Sequence, residues 1–284
     1  MKNLLVITGQ TATGKTSLAV SFAKKINGEL INSDSRQIYK HLDIVTGKDL
    51  DILQTSTVHL YDIVDPKKRF SSYDFTVFAK KAIKTIEDKG ETPIIVGGTY
   101  FYLKHLIYGI ATTQEADWKL RNKLNKKSIK ELQVMLRLKN PDKLKQMNQS
   151  DRANPHRLIR QIELSQIPTA KKMLQNSLIK KYKVRFIGLR FKRKEDLIKK
   201  IRERVEKRMK NGDIEEVRSL FKKGYSEKDP GLQTIGYKQL IALVKGRLTK
   251  DEAIKEWISK EVRYAKRQYT FMKKDKNIKW KMVD

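Results

Sequence analysis

No cysteine occurs in the 284 residues, which excludes disulfide staples and zinc held by thiolates. The four histidines, His41, His59, His105 and His156, lie too far apart along the chain to form a metal-spaced pair. No apolar run approaches the roughly 18 residues that mark a membrane-spanning helix. The opening apolar stretch, Leu4 to Ile7, runs straight into glycine and lacks the length and cleavage site of a signal peptide. A cytoplasmic protein without membrane attachment is therefore expected, and a monomer is the expected state. Acidic residues are also scarce. Lys+Arg number 63 against 32 Asp+Glu, a net charge of +31, and only 17 of the 63 are Arg. Such a surface attracts polyanions and speeds their encounter, so nucleic acid is the expected partner.

What is present is an alternation of strands and helices. "LLVIT" (4–8) is a continuous apolar run ending at glycine, as buried parallel strands do. Residues 16–26 read as a helix. "GELINS" (28–33), "VHLYDIV" (58–64) and "TPIIVGG" (92–98) read as further strands. "FSSYDFTVFAKKAIKTIEDKG" has cap-like Ser71 and Ser72, apolar residues at helical spacing and a terminal glycine. This order predicts a doubly wound parallel sheet. After Gly109 the chain turns polar and helical, punctuated by Pro141, Pro155 and Pro168. "VRFIGLRF" (184–191) then reads as a strand, and the tail from about 192 as helical and basic. The economical division is an α/β core of 1–110 and 182–284 with a helical insertion, 111–181.

Gly9, Gly14, Lys15 and Thr16 fit G-x-x-x-x-G-K-[ST], with a strand before and a helix after as the motif requires. Gly9, Gln10, Thr11, Ala12, Thr13, Gly14, Lys15 and Thr16 are thus the expected cradle for a diphosphate. Backbone N–H groups and the helix N-terminus wrap the anion, and Lys15 adds a point charge. The Thr16 hydroxyl suits a phosphate-bound Mg2+. The expected core is P-loop NTPase-like. Ordinary phosphate-loop hydrolases carry a second strand ending in an acid that helps hold magnesium. Here "PIIVGG" ends in Gly97-Gly98-Thr99, and the acid stands instead at Asp34, after "ELINS". All three loops follow strand carboxyl ends, where open parallel sheets bind ligands. A carboxylate beside a diphosphate can hold metal or take a proton from a nucleophile. Asp34 also suits a plain turn cap, and the local sequence leaves these roles open.

The sequence resembles the tRNA dimethylallyltransferases, also called isopentenyl-tRNA transferases. "GQTATGKTSLAV", "GELINSDSRQIYKHLDIVTGK", "YDIVDPKKRFSSYDF", "IIVGGTYFYLKHL", "NPHRLIRQIE", "RVEKRMKNGDIEEV", "LQTIGYKQL" and "RYAKRQYTFMKKD" carry the resemblance, in the family's order over nearly the whole chain. It is weakest over 111–150. It implies transfer of a dimethylallyl group from dimethylallyl diphosphate to N6 of the adenosine at position 37, in tRNAs reading codons that begin with U. The phosphate loop then holds a leaving group, with Mg2+ as cofactor, and no nucleotide need be cleaved. By the resemblance Asp34 is the general base, Thr99 contacts the substrates at the reacting centre, and Arg204 stabilises the diphosphate. Arg208, one helical turn on, could share that role. Asp34, Ser35, Arg36, Gln37 and Thr99 match the stretch that reads the target base.

The resemblance makes the insertion a tRNA-binding domain. His156, Arg157, Leu158, Ile159 and Arg160 match a tRNA-contacting segment, and Arg121 is placed by approximate spacing. Arg157 and Arg160, three apart, should share a helix face and clamp the anticodon stem-loop through its phosphates. The bland alternative is that both pair with acids inside the insertion. "TIGYK" (234–238) is also expected to face tRNA. Tyr39, Tyr100, Phe101 and Tyr102 are candidate surfaces for stacking an extruded base. The rival functions are an adenylate isopentenyltransferase acting on free nucleotide, a phosphate-loop small-molecule kinase, and an RNA-binding protein without catalysis.

Overall fold

The computed structural model describes residues 1–109, 116–166 and 177–284. The chain divides into two compact units, Met1–Ile107 with Leu178–Asp284, and Tyr108–Ser177. The break expected at Pro168 lies outside the described residues.

The first unit is built on one sheet. Its strands are β1 (Lys2–Gly9), β2 (Gly28–Asn32), β3 (Val58–His59), β4 (Thr92–Val96), β5 (Tyr182–Phe191) and β6 (Ile278–Val283). Their order is β3-β2-β4-β1-β5-β6, and every neighbouring pair is parallel. β1 is central, which explains why Leu4 to Ile7 are all buried and its apolar run is unbroken. From β1 the chain crosses to β2 on one side, while β4 leads to β5 on the other. Loops diverging in this way leave a crevice beyond the strand carboxyl ends.

Helix α1 (Lys15–Ile26) starts directly from the phosphate loop. Helix α2 (Ser72–Asp88) is started by Ser71, whose hydroxyl accepts from Asp74 N–H while the Asp74 carboxylate accepts from Ser71 N–H. Such a cap contributes about 1 kcal/mol. Helix α3 (Tyr100–Tyr108) follows β4.

The second unit is helical: α4 (Trp118–Leu124), α5 (Ile129–Lys139), α6 (Pro141–Gln146), α7 (Gln149–Arg152) and α8 (Pro155–Ser165). Pro141 and Pro155 occupy first-turn positions, where a missing N–H costs nothing, so they start helices. Asn140, Asn148 and Asn154 cap the helices that follow them. Leu124, Leu132, Leu136, Leu144, Leu158, Ile159 and Ile162 form this unit's own core.

The first unit is completed by α9 (Lys194–Lys210), α10 (Asp213–Lys222), α11 (Tyr237–Val244) and α12 (Lys250–Met272). A second core gathers here around the fully buried Tyr237 and Trp257.

Two sequence expectations are corrected. "VHLYDIV" pairs only at Val58–His59, because Leu60 and Asp62 adopt left-handed φ values of 69° and 56° and turn the chain aside. Val64 rejoins through an isolated bridge to Tyr39. The tail is not helical to its end. "IKWKMV" forms β6, an edge strand with Ile278 buried and Lys279 and Lys281 exposed. Lysines on an edge strand discourage further pairing, and here they disguise the strand as more basic tail.

Candidate active site

A cleft of about 470 Å³ opens at the carboxyl ends of β1, β2 and β4, walled by α9 and α12. The phosphate loop forms its floor. Gly9 is required because a Cβ there would run into the Leu189 backbone of β5. The Gln10 side chain turns inward and accepts from Phe191 N–H at 3.1 Å. Thr13 donates its hydroxyl to the Gln10 carbonyl at 2.8 Å. Both side chains therefore hold the loop in shape, and the loop reaches a ligand through its backbone. Ala12 and Gly14 take left-handed φ values of 66° and 74°. Thr11, Lys15 and Thr16 line the cleft.

Lys15 donates to the Gln10 carbonyl at 2.6 Å. Burial, and the positive charge of Arg204, push its ammonium down to about 8, against the pull of Asp34 and Asp49. Arg204, from α9, donates to Thr11 Oγ1 at 2.9 Å. Arg208, one turn on, lies 5.9 Å from the centre of the Trp257 ring and donates weakly to the Thr46 carbonyl at 3.4 Å. Burial and the neighbouring Arg204 press Arg208 toward neutrality, a direction that a bound anion would reverse.

The opposite wall is the loop after β2. Asp34 Oδ1 accepts from Arg36 N–H at 2.9 Å, and Asn32 Oδ1 accepts from Asp34 N–H at 2.9 Å. Asp34 thus caps a turn through one oxygen, while Oδ2 has no hydrogen-bond donor among the described residues. Thr99, from the β4 loop, is tied to this wall through Ser35. Its Oγ1 accepts from Ser35 N–H at 3.0 Å and donates to Ser35 Oγ at 3.1 Å. The three loops do converge, and Val96-Gly97-Gly98 brings no carboxylate to the end of β4.

Two residues of α12 that sequence reasoning missed organise this wall. Glu261, 4% exposed, accepts from Arg36 Nη1 at 2.7 Å. Burial pushes its carboxyl up, but Arg36 and Arg208 outweigh it and hold it below the usual range. The Arg36 guanidinium stacks on the Tyr264 ring, 4.2 Å from its centre. Gln268 bonds both the phosphate loop and the β4 loop. The signal was available: Ala253, Trp257, Glu261, Ala265, Gln268 and Met272 form one buried helical stripe, and two of its members are polar. Buried polar side chains on an apolar stripe need partners.

Gln37 also lines the cleft, its amide donating to the Gly47 carbonyl at 2.8 Å. Other sequence-predicted residues are placed differently. Tyr39, Tyr100 and Tyr102 are buried, Tyr102 stacked on Phe75, so they are core rather than stacking surface. Phe101 alone of the four is exposed, and it packs on His105. Tyr237 in "TIGYK" is fully buried, its hydroxyl on Glu216, and faces no solvent. In the helical unit the Leu158 and Ile159 side chains are core, which leaves His156, Arg157 and Arg160 as the polar part of that segment. Arg121 and Arg160 converge on the buried Glu163, and Arg157 pairs with Asp151. Acids inside the insertion therefore partner all three arginines.

The chain matches the IPP transferase family model over residues 37–275. The tRNA dimethylallyltransferase of Aquifex aeolicus is 38% identical over 276 residues, covering 95% of this chain and 89% of that protein. The tRNA isopentenylpyrophosphate transferase structure from Bacillus halodurans has a TM-score of 0.72 at 32% identity, over 100% of this chain and 92% of that one. A eukaryotic dimethylallyltransferase caught acting on tRNA has a TM-score of 0.81 at 26% identity, over 96% of this chain and 70% of that one. The chain belongs to the IPP transferase family of tRNA dimethylallyltransferases.

Proposed function

We propose that this cleft transfers a dimethylallyl group from dimethylallyl diphosphate to N6 of the adenosine at position 37 of tRNAs that read codons beginning with U. The adenine amine attacks C1 of the allylic chain. The C1–O bond breaks, diphosphate leaves with the electron pair, and the N6 proton passes to Asp34. The observation that carries this reading is the pairing of a complete phosphate cradle with an uncommitted carboxylate oxygen across the same cleft. Lys15 and Arg204 would meet the charge that grows on the leaving diphosphate, where preorganised cations act most strongly. Thr99, held by Ser35 beside Asp34, would orient the amine.

Magnesium fits the donor chemistry in part. Thr16, Asp34 and Asp49 offer oxygens along the cleft, but no group of three or more metal-type side chains gathers among the described residues. That suits Mg2+, which keeps several waters and is held through substrate phosphates with one or two protein oxygens. When bound, it would neutralise diphosphate charge, and the Thr16 hydroxyl would hold it on this proposal.

No helix among the described residues is long and apolar enough to cross a membrane. A cytoplasmic monomer, meeting tRNA through a surface with a net charge of +31, completes the proposal. His156 and Arg157 are its candidates for contact with the anticodon stem-loop from the helical unit. Mass spectrometry of tRNA incubated with the protein, Mg2+ and either dimethylallyl diphosphate or ATP tests the reaction. Prenylated adenosine is expected only with the allylic donor. ATP hydrolysis without RNA, and no prenylation, would establish the kinase rival instead.

A further inference from the structure

We propose that Gln268 is a positioning residue for prenyl transfer, its one amide fixing the separation between the phosphate loop and the Thr99 loop. The inference rests on the reaction proposed above. Gln268 is 7% exposed on the buried stripe of α12. Its Oε1 accepts from Thr11 N–H at 2.9 Å, and its Nε2 donates to the Gly98 carbonyl at 3.0 Å. Strands β1 and β4 are already tied where these loops begin, by Thr8 Oγ1 on the Gly97 carbonyl at 2.9 Å. The Gln268 amide repeats that tie one step further out, where the two backbones have left the sheet and no ladder holds them.

The residues on either side of the amide are those assigned to the chemistry. Thr11 is held by Arg204 through its hydroxyl. Gly98 precedes Thr99, whose hydroxyl holds the Ser35 N–H next to Asp34. The amide therefore links the loop held by Arg204 to the loop whose Thr99 holds the Ser35 N–H beside Asp34. Substitution at C1 requires attacking nitrogen, carbon and leaving oxygen in line, so this separation sets the rate. A second consequence concerns the cradle itself. With Thr11 N–H used by Gln268, the diphosphate is left to the amides beyond Thr11.

Gly98 supports the assignment. A Cβ at Gly98 would collide with Gln268 Nε2, while its next neighbours would sit at ordinary contact, 3.4 Å from Gln268 Cδ and 3.5 Å from the Gly9 carbonyl. Glycine at 98 is thus explained by the room the amide needs.

The test compares wild type, Gln268→Met, Gly98→Ala, Gln268→Ala and the Gly98→Ala/Gln268→Ala double variant. Methionine keeps the volume and loses both hydrogen bonds. Its kcat for prenylation should fall by about 10²-fold, the scale of an ångström-sized misplacement. Binding of tRNA and of inorganic diphosphate should stay within about threefold, and the melting temperature within a few degrees, since neither ligand is touched by the amide. The losses from Gly98→Ala and Gln268→Ala should fail to multiply in the double variant, because both remove the same tie. Gln268→Asn, too short to span the loops, should repeat the methionine result and serves if methionine does not fold. Wild-type kcat in Gln268→Met, multiplicative losses, or a kcat that recovers when corrected for folded fraction would overturn the proposal. A wild type that forms no prenylated adenosine would instead overturn the reaction on which it rests.

Discussion

Replacing Lys15 with Arg tests the electrostatics of the cradle directly. The Lys15 ammonium is pushed from the ordinary 10.5 to about 8, first by burial and then by Arg204. At pH 7 about nine-tenths of the molecules carry this charge, and at pH 8 about half. A diphosphate in the loop restores the missing negative charge and should lift the lysine back toward its ordinary value. Each unit of that recovery corresponds to about 1.4 kcal/mol of coupling, so full recovery is worth roughly 3 kcal/mol. Binding at pH 8 should then draw in about half a proton at Lys15, and at pH 7 only about a tenth. Arginine stays charged throughout this range and should draw in none at this position.

The sign for stability is the reverse of the usual lysine case, in which an acidic partner raises the pKa. Between pH 8 and 10.5 the unfolded chain holds a proton on Lys15 that the folded chain has released. Stability contributed by this group therefore rises with pH across that window. Calorimetry of inorganic diphosphate binding in buffers of different ionisation enthalpy measures the uptake. The difference between wild type and Lys15→Arg isolates the lysine from the titration of diphosphate itself. Equal proton uptake by the two proteins at pH 8 would refute the argument.

Asp34→Asn should leave tRNA affinity within several-fold while single-turnover prenylation slows by about 10²-fold or more, as for loss of a general base; an unchanged rate would reduce Asp34 to a turn cap. Glu261→Gln keeps a hydrogen-bond acceptor for Arg36 but removes the charge that balances Arg36 and Arg208. It should cost about 3 kcal/mol, the scale of a broken buried pair, and inorganic diphosphate should restore part of the lost melting temperature. Within the helical unit, Arg160→Ala should lower the melting temperature because it strips a partner from the buried Glu163. Arg157→Ala, at a far more exposed position, should instead reduce the salt slope of tRNA binding by about one; measured slopes and melts for the two variants separate clamp from scaffold.

How much of this was legible in the sequence depended on whether a residue's role was local. The phosphate loop, the cap at Ser71 and the buried run of β1 are fixed by neighbours in the chain, and they were read with little error. "VHLYDIV" looked like a full strand because β-branched and aromatic residues carry no sign of the left-handed turns at Leu60 and Asp62. The edge strand β6 was hidden by lysines that serve its exposure. Leu158 and Ile159 were carried into the RNA-binding set by adjacency to His156 and Arg157, although helical spacing turns them to the opposite face. Glu261 and Gln268 act about 225 and 257 residues from their partners Arg36 and Thr11, so no local pattern pointed to the contacts. Only their place on an apolar stripe marked them.

The charge in the cleft explains why one phosphate loop can serve a different reaction. Lys15, Arg36, Lys200, Arg204, Lys207 and Arg208 line it against Asp34, Asp49 and Glu261. The excess of positive charge matches a diphosphate that departs whole. A kinase must break a bond inside the phosphate chain, so it needs a metal fixed by an acid at the end of the second strand. Prenyl transfer breaks the bond between carbon and the phosphate chain, and all the developing charge falls on the diphosphate. Arginines from α9 can answer that charge without a strand-borne acid. On the proposed reaction the carboxylate is then released for the other end of the chemistry, and Asp34, in the loop after β2, takes the nucleophile's proton. Moving the acid from β4 to β2, on this proposal, is what turns a cradle for phosphoryl transfer into one for a leaving group.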